Sequence, residues 1–217
     1  MSSLVRKPKE EKAFSIMMNA LHDRYGDAKL IPDQVDKPDY GFIWKGRRIG
    51  VEVVAIDNHI ILESINAHES ERLNKARKKE LNAINTFQPY TRYNETTVPN
   101  SEFVSKSLAK KLELYNSYKA NFDEVFLLIH CETYANPKFL ELLKIVANNY
   151  LLDNKCLFSK VYLVDLRRSC FVGKVFDFKN KKREKIPYKL SNLKSETRVN
   201  HLFPVGQECN IYKKYNN

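Results

Sequence analysis

The sequence predicts an α/β domain with a mixed central β-sheet flanked by helices, and three observations carry that prediction. Residues 10–25 place Phe14, Met17, Met18, Leu21 and Tyr25 at helical spacing. Residues 40–45 and 48–56 read as two strands joined at Lys45-Gly46-Arg47, where glycine permits the positive φ of a hairpin turn. The run "DEVFLLIHC" is short, apolar and bounded by helix-forming segments, as a buried strand is. Helix, hairpin, helices, strand, helix and strands in that order make a layered α/β arrangement.

Each element follows from its residues. Gly26 stops the first helix, and Glu10 lies one turn before Phe14 at the edge of its apolar stripe. A short strand near 29–31 precedes the hairpin. Residues 63–85 carry helix formers and the cations Arg72, Lys75, Arg77, Lys78 and Lys79, with only Leu73, Ala76 and Ile84 as an apolar stripe, which predicts a largely exposed helix. Residues 86–100 hold two prolines and no periodicity, and are expected to form a loop. A second strong helix spans 101–120, a third 137–150, and "KVYLVDL" and "CFVGKVFDF" are strands around Arg167-Arg168-Ser169. From Lys179 the chain turns basic and irregular, so the expected organisation is a core over 1–176 and a basic extension over 177–217.

The chain has 217 residues, 43% of them apolar and 12% aromatic, enough for one domain with a sizeable core. Its 37 Lys and Arg against 26 Asp and Glu give a net charge of +11, spread along the chain rather than gathered in a tail. Such a balance favours a polyanion, most economically nucleic acid, with an acidic protein partner as the other reading. Cys131, Cys156, Cys170 and Cys209 lack CxxC spacing and any zinc-type Cys/His cluster, and read as reduced thiols. No apolar run follows the basic start and none reaches membrane-spanning length, so a cytoplasmic protein with no membrane partner is expected. The absence of GxxxxGK[ST], GxGxxG and GxSxG argues against P-loop, dinucleotide and α/β-hydrolase chemistry. His59, beside Asp57, reads as a loop histidine and His130 as a satisfied core histidine.

One residue breaks the pattern of the second hairpin strand. Glu52 stands between Val51 and Val53, and burying an unpaired carboxylate costs several kcal/mol or forces it to neutralise. Asp39 follows Pro38 at the mouth of the partner strand, so antiparallel pairing can bring the two carboxylates together. Two hard oxygen donors suit Mg2+ (or Mn2+), which keeps several waters and shares its shell with phosphate.

In these residues, Pro38-Asp39 and then Gly50-Val51-Glu52-Val53-Val54, the chain resembles the PD-(D/E)xK nuclease superfamily, from about Glu10 to Leu166. The resemblance implies a restriction-endonuclease-like core and metal-dependent hydrolysis of DNA phosphodiester bonds, with Asp39 and Glu52 as metal ligands and the first-helix Glu10 completing the shell. It also implies a homodimer as one way to cut both strands. The pattern departs at its lysine, where this chain has Val54: either the site is inactive, leaving a nucleic-acid-binding module, or another cation has taken the role. Lys111 is the candidate, since it falls within the stripe formed by Val104, Leu108, Leu112, Tyr115 and Tyr118, whereas Lys106 and Lys110 fall on the opposite side. It either meets an anion there or snorkels past Tyr115 to water. Lys45 and Arg47 in the hairpin turn, and Arg72, Lys75, Lys78 and Lys79 in the exposed helix, are the candidate phosphate contacts.

Overall fold

Alternation along one strand divides this protein into layers. In β3 (Arg47–Ala55) the residues Ile49, Val51 and Val53 point to one side and Gly50, Glu52 and Val54 to the other, because successive side chains of an extended chain face opposite ways. The computed structural model describes residues 8–32, 34, 37–57, 90–97, 101–132, 134, 137–187 and 197–204. Contacts divide the chain into two units, one of residues 1–57 with 100–193 and one of 58–99 with 194–217. The boundary expected between 176 and 177 therefore lies inside the first unit.

The first unit holds a mixed six-stranded sheet in the order β1-β2-β3-β5-β6-β7. β1 (Lys29–Leu30), β2 (Tyr40–Trp44) and β3 form an antiparallel meander. β5 (Glu124–Cys131) and β6 (Lys160–Asp165) then run parallel to β3, and β7 (Cys170–Asp177) returns antiparallel with two register shifts against β6. Helices α1 (Pro8–Ala20) and α2 (His22–Tyr25) cover the face of Val51 and Val53 through Phe14, Met17 and Tyr25. Helices α3 (Ser101–Glu113), α4 (Tyr115–Lys119) and α5 (Pro137–Asp153) cover the other face through Val104, Leu108, Tyr118, Phe139 and Leu143. Near-continuous apolar runs in β5 and β6 follow from burial on both faces. No helix among the described residues is long and apolar enough to cross a membrane.

The hairpin turn forms as its sequence asks. Trp44 pairs with Arg47 across Lys45 and Gly46, both at positive φ (48° and 74°), the two-residue geometry that matches strand twist. The expected first helix is broken at Leu21 into α1 and α2, and the expected helix over 101–120 is broken at Leu114 into α3 and α4. In the second case packing overrides propensity: Tyr115 meets Phe158 edge-on at 5.0 Å, and Tyr118 lies 6.2 Å from the same ring.

The basic stretch after β7 is held in place. Asn148, nine-tenths buried or more on α5, donates its amide to the Lys182 carbonyl at 2.9 Å. Asn149 pairs with both backbone groups of Glu184, donating at 2.9 Å and accepting at 3.1 Å. Residues 179–187 are thus an exposed strap with its backbone tied to α5.

In the second unit β4 (Tyr90–Thr97) pairs antiparallel with β8 (Thr197–Pro204) over eight residues. This corrects two expectations, a loop over 86–100 and an irregular C-terminal stretch. β4 is rich in the strand formers Thr and Tyr, but the partner of each segment lies about a hundred residues away, where local periodicity carries no signal. The helix expected over 63–85, with Arg72, Lys75, Lys78 and Lys79, lies outside the described residues, as do His59 and Cys209.

Candidate active site

The ladder register puts the two carboxylates side by side. Tyr40 pairs with Val51 and Gly41 with Gly50, so one step further Asp39 falls opposite Glu52, on the same face of the sheet. Asp39 is fixed by its own backbone partner: its Oδ2 accepts the Val53 N–H at 2.7 Å.

A pair of glycines sets the corner that delivers Asp39. Gly41 and Gly50 sit opposite each other, and the flat patch they leave receives Pro38 and the ring of Phe122. A Cβ on Gly50 would lie 2.5 Å from Pro38 Cγ and 3.1 Å from Phe122 Cγ, closer than real contacts allow. Gln34 braces the same corner, donating to the Pro38 carbonyl at 2.8 Å. From the other layer Phe14 stacks on Tyr40 at 4.3 Å with the rings 5° from parallel, so helix α1 holds the residue next to Asp39.

Glu52 is 4% exposed, and its carboxylate is met by Lys111 from α3: Nζ donates to Oε1 in an ion pair. The cation expected in the stripe of α3 therefore reaches the glutamate, and the snorkelling alternative does not hold. Val54, where the pattern has lysine, is buried on the same face two residues along β3. Lys111 supplies to this face the charge that position 54 lacks.

Electrostatics mark Glu52 as a group under opposing demands. Burial holds its carboxyl above the usual carboxylate range and the neighbouring Asp39 charge raises it further. The Lys111 hydrogen bond and charge pull it back, as does a hydrogen bond with Tyr118 of α4. Tyr118, 2% exposed, is a site residue that sequence reasoning placed only in the apolar stripe. Its seven-residue spacing from Lys111, two turns along one face, is the signal that could have found it.

The other candidates lie elsewhere. Glu10 is in the first turn of α1, which packs on the sheet face opposite Glu52. No group of three or more His, Cys, Asp or Glu side chains that could hold a metal ion exists among the described residues, so Glu10 does not join Asp39 and Glu52. Arg47, on the same side of β3 as Val51 and five residues from Glu52, is about 16 Å along the strand and pairs with Glu124 at 2.6 Å. Lys45 Nζ stands 4.7 Å from the ring of Trp44.

The donor set can be tested against a divalent cation on this geometry. Two facing carboxylates that repel each other are hard oxygen ligands, and Mg2+ is commonly held by one or two carboxylates with water and phosphate filling the shell. Asp39 and Glu52 fit that description. Comparison of the chain with protein-family models, with curated proteins and with solved structures finds no match in any of the three.

Proposed function

We propose that the chain is a metal-dependent nuclease that hydrolyses DNA phosphodiester bonds on a restriction-endonuclease-like core. The observation that carries this reading is the convergence of Asp39, Glu52 and Lys111: two carboxylates from a hairpin and one ammonium from a helix, on one face of the sheet. The order of elements supports it, with α1, the meander β1-β2-β3, then helices and the parallel strand β5. So does the net charge of +11, which suits a polyanionic substrate.

In this reading Asp39 and Glu52 hold Mg2+ or Mn2+, which when bound would polarise the phosphodiester and acidify the attacking water. Lys111 orients that water or compensates the charge growing on the phosphorus oxygens, a contact stronger in the transition state than in the ground state. Asp39 keeps its place through the Val53 N–H, and Tyr118 fixes the Glu52 carboxyl. Burial excludes bulk water around Glu52 and strengthens each of these interactions.

A second reading is favoured by one observation, the near-complete burial of Glu52 against Lys111. There the pair is structural, and the protein binds nucleic acid without cutting it. Incubation of purified protein with linear, circular and single-stranded DNA in magnesium, manganese or chelator separates the two. Cleavage that needs the divalent ion and is lost in Asp39→Asn supports the nuclease. Salt-sensitive binding without cleavage in any metal supports the binding module.

A further inference from the structure

The end of the sheet at the β2–β3 turn carries a second cluster, in the layer opposite Glu52. A cleft of about 360 Å3 opens there between Tyr25, Trp44, Lys160 at the start of β6 and Phe178 just past β7. That volume lies in the range of small-ligand sites. Its walls are aromatic: Tyr25 meets Trp44 edge-on at 5.0 Å, and Phe178 is 41% exposed although large and apolar.

Two cations of this cleft, Arg24 and Lys160, rest on rings, while Arg47 is held by a carboxylate and the Lys160 charge also acts on Asp177. The cleft's two acids are already engaged, Glu124 with Arg47 at 2.6 Å and Asp177 with Lys174 at 2.8 Å. Arg24, Lys160 and Lys179 make no ion pair among the described residues. The Arg24 guanidinium lies 5.4 Å over Tyr25, while Lys160 Nζ donates to the Tyr25 hydroxyl at 2.8 Å and stands 5.2 Å from the Phe126 ring. Outside the cleft, Lys45 over Trp44 and Lys181 at 3.9 Å over Phe178 repeat the arrangement. A flat π-system with an anion beside it would satisfy both halves: the rings stack on it and the displaced ammonium groups take the anion.

We infer that this cleft binds unpaired nucleotides of single-stranded nucleic acid, with a base stacked against Trp44 or Phe178 and phosphates on Lys160, Lys179 and Arg24. The inference rests on the reading that the protein acts on nucleic acid, and adds a substrate class to it. Bases inside a duplex are already stacked and leave such rings nothing to cover. Each stacked base contributes roughly five- to a hundredfold in affinity.

Trp44 is the single tryptophan of the chain, so its emission reports on this cleft alone. The test titrates the full chain with a single-stranded oligodeoxythymidylate in chelator, with an equal-length duplex and heparin as comparisons. The expected result is saturable quenching by the single strand, weaker quenching by the duplex and none by heparin. Phe178→Ala and Lys160→Gln should each weaken the single-strand titration about tenfold, while Lys110→Gln, exposed on α3 outside the cleft, leaves it unchanged. Lys179→Gln, at an exposed position, gives a third variant whose folding is not in question. Equal quenching by heparin, or titrations unaltered in all three cleft variants, would overturn the inference. If duplex DNA is cut in magnesium while Trp44 emission stays flat, the cleft is refuted and the nuclease stands. If the single strand quenches Trp44 and nothing is cut, the cleft stands and the nuclease is refuted.

Discussion

Lys111 and Glu52 lie 59 residues apart in sequence and meet as an ion pair between helix α3 and strand β3. Removing one partner of such a pair leaves the other charge buried. Lys111→Ala is therefore expected to lower unfolding free energy by about 3 kcal/mol in urea titration, the low end for a buried pair because Lys111 is one-fifth exposed. Cleavage in magnesium should fall by roughly 10²- to 10³-fold with DNA binding retained. Lys110→Ala, exposed on the far side of α3, should change neither quantity appreciably.

The raised pKa of Glu52 fixes a pH dependence. Burial, and then the Asp39 charge, lift its folded value above that of an ordinary glutamate in the unfolded chain. The folded state then binds more protons than the unfolded state between the two values, so stability falls as pH rises through that window. Glu52's contribution is most favourable below the unfolded value and is lost as pH climbs through the folded one. Urea titrations from pH 4 upward should show this decline in wild type, and a flatter profile in Glu52→Gln. A stability difference that does not vary with pH would contradict the assignment.

Divalent binding should follow the same titration with opposite sense. An ionised Glu52 is the ligand, so affinity for Mn2+ is expected to rise as pH passes the folded value. Isothermal calorimetry should find a weak site in wild type that Glu52→Gln removes. Asp39→Asn should remove it as well while keeping an acceptor for the Val53 N–H, so its melting temperature stays near wild type. Binding unchanged in both variants would exclude these carboxylates as ligands.

Gly50 offers a test of positioning apart from charge. Gly50→Ala forces Pro38 and Phe122 to move and carries Asp39 with them, at an expected cost of about 1–3 kcal/mol and most of the activity. Gly46→Ala is the control. Its φ of 74° strains alanine by about 1 kcal/mol, but nothing lies within 4 Å of the added carbon. Thermal melts should show loss in both variants, and cleavage assays a large loss only in Gly50→Ala.

What the sequence disclosed, and what it withheld, divides along the range of the interactions. Asp39 and Glu52 were legible because a tight hairpin turn and alternate-residue periodicity fix their shared face. Lys111 was legible because helical spacing puts it among Val104, Leu108 and Tyr115. The breaks at Leu21 and Leu114 were not, since neither has proline or glycine and the second follows from packing on Phe158. The role of Gly50 was hidden because it depends on Pro38 and Phe122, neither of them a neighbour in the chain. Glu10 was expected at the metal by the family resemblance, and the side of the sheet on which α1 packs places it elsewhere.

The β4–β8 ladder also has a consequence for synthesis on the ribosome. Tyr90 pairs with Pro204, and Thr97 with Thr197, so β4 emerges about a hundred residues before its partner exists. At ordinary elongation rates of 5–20 residues per second, that strand waits roughly 5–20 s with an unsatisfied backbone edge. The sequence of this segment includes Arg92 and Glu95, charges of both signs, and charged residues discourage a waiting strand from pairing with a second nascent chain. Early termination anywhere before β8 leaves β4 permanently unmatched, and products shortened in that way should go to inclusion bodies rather than to the soluble fraction.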